Sequence, residues 1–342
     1  MATYYVDART GSDANTGTLP SNAWRSLAKV ATSSFAAGDT IYFRRGQTFV
    51  GELLFPSSGT SGNPITLASY SDGVDNYPYA IFSNPDTAAA NPNCLKLPRN
   101  YITVDGIDFR DAKDAAITIY QTNHDNVVKN CRFEDVGIGI RIKGDTNTVE
   151  YCQFYKLKMA TDIGTASDVG GVCVSFERNG TDTNTGNTVR YCLAQLGKAF
   201  SVQFGNDGGF IEIFRGADNI SVYNNVVMNC KGFLEVGGDN TASDTITNAS
   251  FYNNLIVNCY GILMYANTYG GSFGVEIDNM IFENNTIYMA DRSTSAVYWA
   301  GNWTGLSTKF IYQNNVWQGV TSFTATNGTT DPNTITHRNN LY

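Results

Sequence analysis

Histidine is nearly absent from this chain: His124 and His337 are the only two in 342 residues. They fall far apart in a repeating sequence, which excludes a Ser-His-Asp triad or a multi-histidine zinc site. Proline is scarce too, eight against 33 glycines, so turns between short strands are expected rather than long helices. No stretch reaches the roughly 18 to 20 apolar residues of a membrane span, so no membrane partner is expected. Basic residues are outnumbered, 23 Lys and Arg against 31 Asp and Glu, giving a net charge of −8. That balance disfavours nucleic acid, which needs clustered cations against phosphate. A polyanionic substrate stays open, because local cations can override the net field. P-loop and dinucleotide fingerprints are missing. The opening Met1-Ala2-Thr3-Tyr4-Tyr5-Val6-Asp7 has no basic region followed by an apolar core. It does not read as a secretory signal: either a signal has been removed, or the protein leaves its cell by another route, such as lysis.

What the chain has in abundance is repetition. VKNCRFED at 128–135, VEYCQFYK at 149–156 and VRYCLAQL at 189–196 are followed by VYNNVVMN at 222–229, FYNNLIVN at 251–258, FENNTIYM at 282–289 and YQNNVWQG at 312–319. The second residue of each Asn-Asn pair stands at 225, 254, 285, 315 and 340, in steps of 29, 31, 30 and 25. Earlier copies carry Cys131, Cys152 and Cys192 at that position. Such a period implies a solenoid or a propeller. Each copy holds two short alternating strands around a polar corner and then a Gly-led third strand, as in Gly139–Ile142, Gly232–Val236 and Gly261–Tyr265. Three short strands per turn predict an all-β, single-stranded right-handed parallel β-helix. Stacked Asn can hydrogen-bond from coil to coil and tolerate left-handed backbone.

Seven cysteines cannot form a complete internal disulfide framework. Their equivalent repeat positions, including Cys230 and Cys259 in Asn-Cys pairs, predict free thiols buried as small hydrophobes. Residues 1–39 read as a strand, a turn-rich loop and a capping helix over Ala23–Val30, and 40–342 as one continuous β-helix. Asp7, Asp13 and Asn15 lie in that loop without the acidic closing ligand of an EF-hand, and read as turn structure.

The opening YYVDARTGSDANTGTLPSNAWRSLAKV, with AGDTIYFRRGQTF and SGTSGNPITLASY after it, resembles the start of the pectate-lyase-like β-helix superfamily, in the versions found in bacterial surface and phage tail-associated proteins. With the Asn-Asn coils the resemblance covers nearly the whole chain. It implies an extracellular or virion-associated protein acting on or binding a polysaccharide or oligosaccharide. For the phage type it implies a homotrimer, and for the lyases a calcium ion between Asp and Glu side chains. Members differ in activity, so function has to be argued from a site.

Alternation along the third strands turns Glu177, Glu212 and Glu235 outward, on three successive coils about 4.8 Å apart. A ladder of carboxylates cannot ionise fully, and a raised acid beside an ionised carboxylate is what glycoside hydrolysis needs. Arg141, Lys143, Arg178 and Arg215 surround the three glutamates in sequence. Asp207 and Asp239 occupy nearby Gly-rich turns, while Tyr265, Tyr298 and Trp303 are candidate sugar platforms and Trp299 a residue that could equally face the core. Three readings follow: a polysaccharide hydrolase using two of the glutamates, a lyase of uronic-acid polymers with Lys or Arg as base, and a non-catalytic glycan-binding or virion structural module.

Overall fold

The computed structural model describes residues 1–73, 75–85, 92–159, 170–180, 182–201, 205–238, 244–259, 261–266, 276–290, 296–300, 310–319, 322–326 and 335–341. At 201, 205, 263–266, 276, 296–300, 310, 322–326 and 335 only the backbone is described.

Strands from successive coils stack into three parallel sheets. Among the described residues, sheet A holds 13 strands, from Thr3–Val6 to Ile335–Arg338. Among the same residues sheet B holds ten, from Thr48–Val50 to Val316–Gln318, and sheet C ten, from Leu53–Leu54 to Ser322–Thr326. One coil runs Val127–Lys129 in A, Arg132–Glu134 in B and Ile138–Ile142 in C, and each strand pairs with its counterparts on the coils before and after. This is the right-handed parallel β-helix that the repeat predicts.

Alternation sorts each strand between core and solvent. Val128, Phe133, Ile140 and Ile142 are buried, while Lys129, Arg132, Glu134 and Arg141 between them keep partial exposure. Full burial of each such apolar side chain contributes roughly 1.5–3 kcal/mol. Equivalent core residues lie directly above one another. Phe133 and Phe154 stack 4.8 Å apart, and Phe251, Phe282 and Tyr312 stack at 4.7 Å per step, close to the spacing between coils. Gly139 marks where the packing leaves no room for a side chain. A Cβ there would sit 2.6 Å from the Phe154 ring and 2.5 Å from the Cys173 carbonyl.

The paired asparagines divide two duties between them. The first of each pair takes the left-handed turn from sheet A to sheet B, with φ of 55° at Asn224, 54° at Asn253 and 55° at Asn284. The second turns into the core, and its amide bonds the coils on either side. Asn254 Nδ2 donates to the Val222 carbonyl and to Asn285 Oδ1, both at 3.0 Å. Its Oδ1 accepts from the Asn225 backbone at 3.1 Å and from Asn225 Nδ2 at 3.0 Å. A second amide ladder, Asn126, Asn147 and Asn187, lines the corner that enters sheet A. The two ladders change places at one coil boundary. Asn187 and Cys192 flank the sheet A strand of one coil, and Ile220 and Asn225 flank that of the next. Each of these coils thus has one polar and one apolar corner around sheet A.

All seven cysteines are free and buried, and burial pushes the Cys94 and Cys152 thiols up. Titration of the denatured protein without reductant is expected to find seven thiols, while the folded protein reacts slowly. Recovery of five or fewer would show that a disulfide forms.

The N-terminal helix is shorter than its sequence suggests. It spans Leu27–Ala31, because Trp24 forms a β-bridge with Val6 and Ser26 is the N-cap, accepting from the Lys29 backbone at 3.1 Å. Asp13 fixes that cap through the Arg25 and Ser26 backbone and the Ser26 hydroxyl. Asp7 accepts from Thr10 and pairs with Arg44 at 2.8 Å. Both aspartates belong to the fold. The Thr3–Val6 strand already pairs with Thr40–Arg44 in sheet A.

Candidate active site

Sheet C presents one continuous outward row: Lys96, Thr118, Arg141, Ser175, Glu212 and Glu235, each registered on the next. The residues to either side are core, Ile140 and Ile142, Val174 and Phe176, Ile211 and Ile213, Leu234 and Val236. Inward packing on both sides therefore fixes the row's orientation. Adjacent strands lie about 4.8 Å apart, so Glu212 and Glu235 are immediate neighbours.

Glu177 is not in that row. It sits two residues beyond Ser175 and is registered on Phe214. The three glutamates form an offset group rather than the single ladder expected. Ser175, fully buried, ties the group together: its hydroxyl lies 3.3 Å from Glu177 Oε1 and 3.2 Å from Glu212 Oε2. Arg141 Nε donates to Glu177 at 2.7 Å, and its two terminal nitrogens grip Asp114 at 2.7 and 2.8 Å. Lys143 approaches the other Glu177 oxygen at 3.3 Å. Glu177 is thus held between two cations, while Glu212 and Glu235 are not.

This asymmetry governs protonation. Burial, then the charges of Glu177 and Asp207, push Glu212 up to about 7, against the pull of the Ser175 hydrogen bond and Arg141. Burial, Asp207 and Glu212 hold Glu235 well above the ordinary glutamate range, with Lys231 opposing. Asp207 reaches the site from an antiparallel hairpin, Ala199–Ser201 with Gly205–Asp207, inserted between sheets B and C. Burial disfavours the charge on Arg141, but Glu177 and Asp114 outweigh it and keep the guanidinium protonated.

The model of the Pel9A-like right-handed β-helix region matches residues 4–198, more than half of the chain. The protein belongs to that family. In sequence, the chain is 36% identical over 86 residues to a lacto-N-biosidase of Bifidobacterium longum subsp. longum, a stretch covering 24% of this chain and 5% of that protein. The chain therefore corresponds to a small part of that curated relative. In structure it is similar to a rhamnogalacturonan lyase, at a TM-score of 0.73 and 18% identity over 99% of this chain and 87% of the other. It is also similar to the tailspike protein of an E. coli bacteriophage in complex with a pentasaccharide, at a TM-score of 0.60 and 12% identity over 90% and 54%. At these identities the structural likeness shows the shared fold. Among the described residues no helix is long and apolar enough to cross a membrane.

Within this Pel9A-like coil stack, the remaining candidates separate. Arg141, Lys143 and Asp207 join the glutamates. Arg178 does not: it is buried at the far end of its strand, where it pairs with Asp218 at 2.5 Å and donates to the Thr245 carbonyl and hydroxyl. Arg215 takes a left-handed turn after its strand, with φ of 67°, and donates to Asn179 at 3.0 Å. Asp239 and Trp303 lie outside the described residues. Tyr265 is registered on Val236, Tyr298 on Leu263 and Trp299 on Met264, and their side chains are outside the description.

Two participants escaped the sequence reading. Ser175 has the same strand parity as Glu177 and was legible as outward; Asp114 stands just before its strand, where alternation gives no signal. The implied calcium ion is not supported by the donor set. Among the described residues no three His, Cys or carboxylate groups gather to hold a metal, and Asp114 and Glu177 are already paired with Arg141 and Lys143.

Proposed function

We propose that this Pel9A-like protein is a glycoside hydrolase acting on a polysaccharide or oligosaccharide outside the cell or on a virion, with Glu212 and Glu235 as its catalytic pair. The observation that carries the reading is the adjacency of two outward glutamates that are both raised but unequally supported. Only Glu212 has the Ser175 hydrogen bond and the attraction of Arg141, so it ionises first and Glu235 keeps its proton. Glu235 then donates that proton to the glycosidic oxygen while the Glu212 carboxylate attacks the anomeric carbon. The leaving sugar departs with its new hydroxyl, and a glycosyl ester remains on Glu212. Water, deprotonated by the Glu235 carboxylate, cleaves the ester and restores both groups. Neighbouring coils supply roughly the 5 Å carboxylate separation of retaining enzymes.

Elimination is less well supported. It needs a neutral base, and Arg141 and Lys143 are both engaged with carboxylates. Incubation with a panel of polysaccharides separates the readings. Reducing ends without unsaturated products, and with retained anomeric configuration, are expected. Unsaturated products would make the protein a lyase, and binding without cleavage would make it a glycan-binding module.

The pH profile is a second check. Activity requires Glu212 ionised and Glu235 protonated, so kcat/KM is expected to rise with pH through about 7 and fall again as Glu235 loses its proton. A rate that is highest at pH 4–5 and falls toward 7 would overturn the assignment of roles.

A further inference from the structure

The acidic row has basic neighbours that should recognise or reject charge on the substrate, and Arg141, Lys143 and Lys96 among them are already paired. Arg141 spends all three of its nitrogens on Glu177 and Asp114. Lys143 is held by Glu177, and Lys96, at the start of the row, by Glu52 at 2.9 Å. Beyond Arg141 the row continues through Ser175, Glu212 and Glu235 to Met264, with Asp207 close enough to raise both glutamates. Among the described residues, those that act on one another here are five carboxylates, Asp114, Glu177, Asp207, Glu212 and Glu235, and three cations, Arg141, Lys143 and Lys231, an excess of two negative charges when all are ionised and of one when Glu235 holds its proton.

We propose that the sugar bound at Glu212 and Glu235 is neutral, carrying no carboxylate or sulfate. The inference rests on the hydrolase reading for the place of cleavage, and it adds the substrate class. A uronate ring here would set its carboxylate against Glu212, Glu235 and Asp207, with no guanidinium or ammonium in the row left to answer it. Hydroxyl and acetamido groups face no such repulsion: they donate to the ionised carboxylates and accept from the protonated Glu235.

Two measurements test this. In the first, binding and reducing-end release are compared for polygalacturonate, for the same polymer fully methyl-esterified, and for neutral galactan, arabinan and chito-oligosaccharides. At least one neutral polymer is expected to bind ~10-fold or more tightly than polygalacturonate. Hydrolysis of polygalacturonate in preference to every neutral polymer overturns the substrate class but leaves the glutamate chemistry standing. Unsaturated products from it overturn both. The second measurement needs no natural substrate. Asp114→Asn combined with Glu177→Gln frees Arg141 and Lys143 beside the row, and affinity electrophoresis in polygalacturonate should show ~10-fold tighter retention than for the unaltered protein. Glu177→Gln alone, which releases Lys143, should show a smaller gain if the double variant fails to fold. Retention by the unaltered protein equal to that of both variants would mean that the paired cations do not exclude acidic sugars, and would overturn the proposal.

Discussion

Glu235→Gln is expected to lower kcat at least ~10²-fold on any glycan that the protein cleaves, because the amide cannot protonate the departing oxygen. Glu212→Gln should do the same by removing the group that attacks the anomeric carbon. Glu150→Gln is the control: Glu150 pairs with Arg190 at 2.7 Å on sheet A, and its loss should leave turnover unchanged. Stability should move in the opposite direction to activity. Glu212 is raised from the ordinary 4.5 to about 7 in the folded chain, so between those values the folded state binds more protons than the unfolded one. Its presence therefore lowers stability progressively as pH rises through that window. Glu212→Gln should stabilise the fold by ~1–3 kcal/mol at pH 8 and hardly at all at pH 4. Thermal unfolding at the two pH values checks this directly. A variant that loses both activity and stability at pH 8 would show that Glu212 serves the structure rather than the reaction.

The largest effect on stability is expected from breaking the amide ladder. Asn254→Ala removes the acceptor for the Asn225 backbone and side-chain amides and the donor to the Val222 carbonyl, all buried. Each group left without a partner costs about 1–3 kcal/mol, so the variant should lose at least ~3 kcal/mol. The exposed first Asn of the same pair is a contrasting case. Asn253 is there for its left-handed backbone, φ 54°, and Asn253→Gly keeps that conformation open and should cost well under ~1 kcal/mol. Urea unfolding of the two variants gives the comparison. Equal losses would mean that the two asparagines do not divide their duties as the geometry shows.

The sequence by itself determined the β-helix and the inward face of every strand that alternates cleanly. Strand period, Gly-led third strands and Asn corners are local properties, and they agree with one another over most of the chain. It also determined that Glu177, Glu212 and Glu235 point outward, since parity along a strand follows from the pleat. What only the tertiary structure decided is which outward residues meet. A shift of register by two residues keeps every side chain on its own face, so alternation cannot tell whether Ser175 or Glu177 lies beside Glu212. The inter-coil hydrogen bonds decide it, setting Val174 on Ile211 and Phe176 on Ile213 and so Ser175 on Glu212. Steps between coils varying from 21 to 40 residues hide that register from any count along the chain. The same limit applies to Arg178 and Arg215. Both follow a glutamate-bearing strand closely in sequence, but they stand where the chain leaves the sheet, and there the course of the turn, not the period of the strand, sets the direction of the side chain.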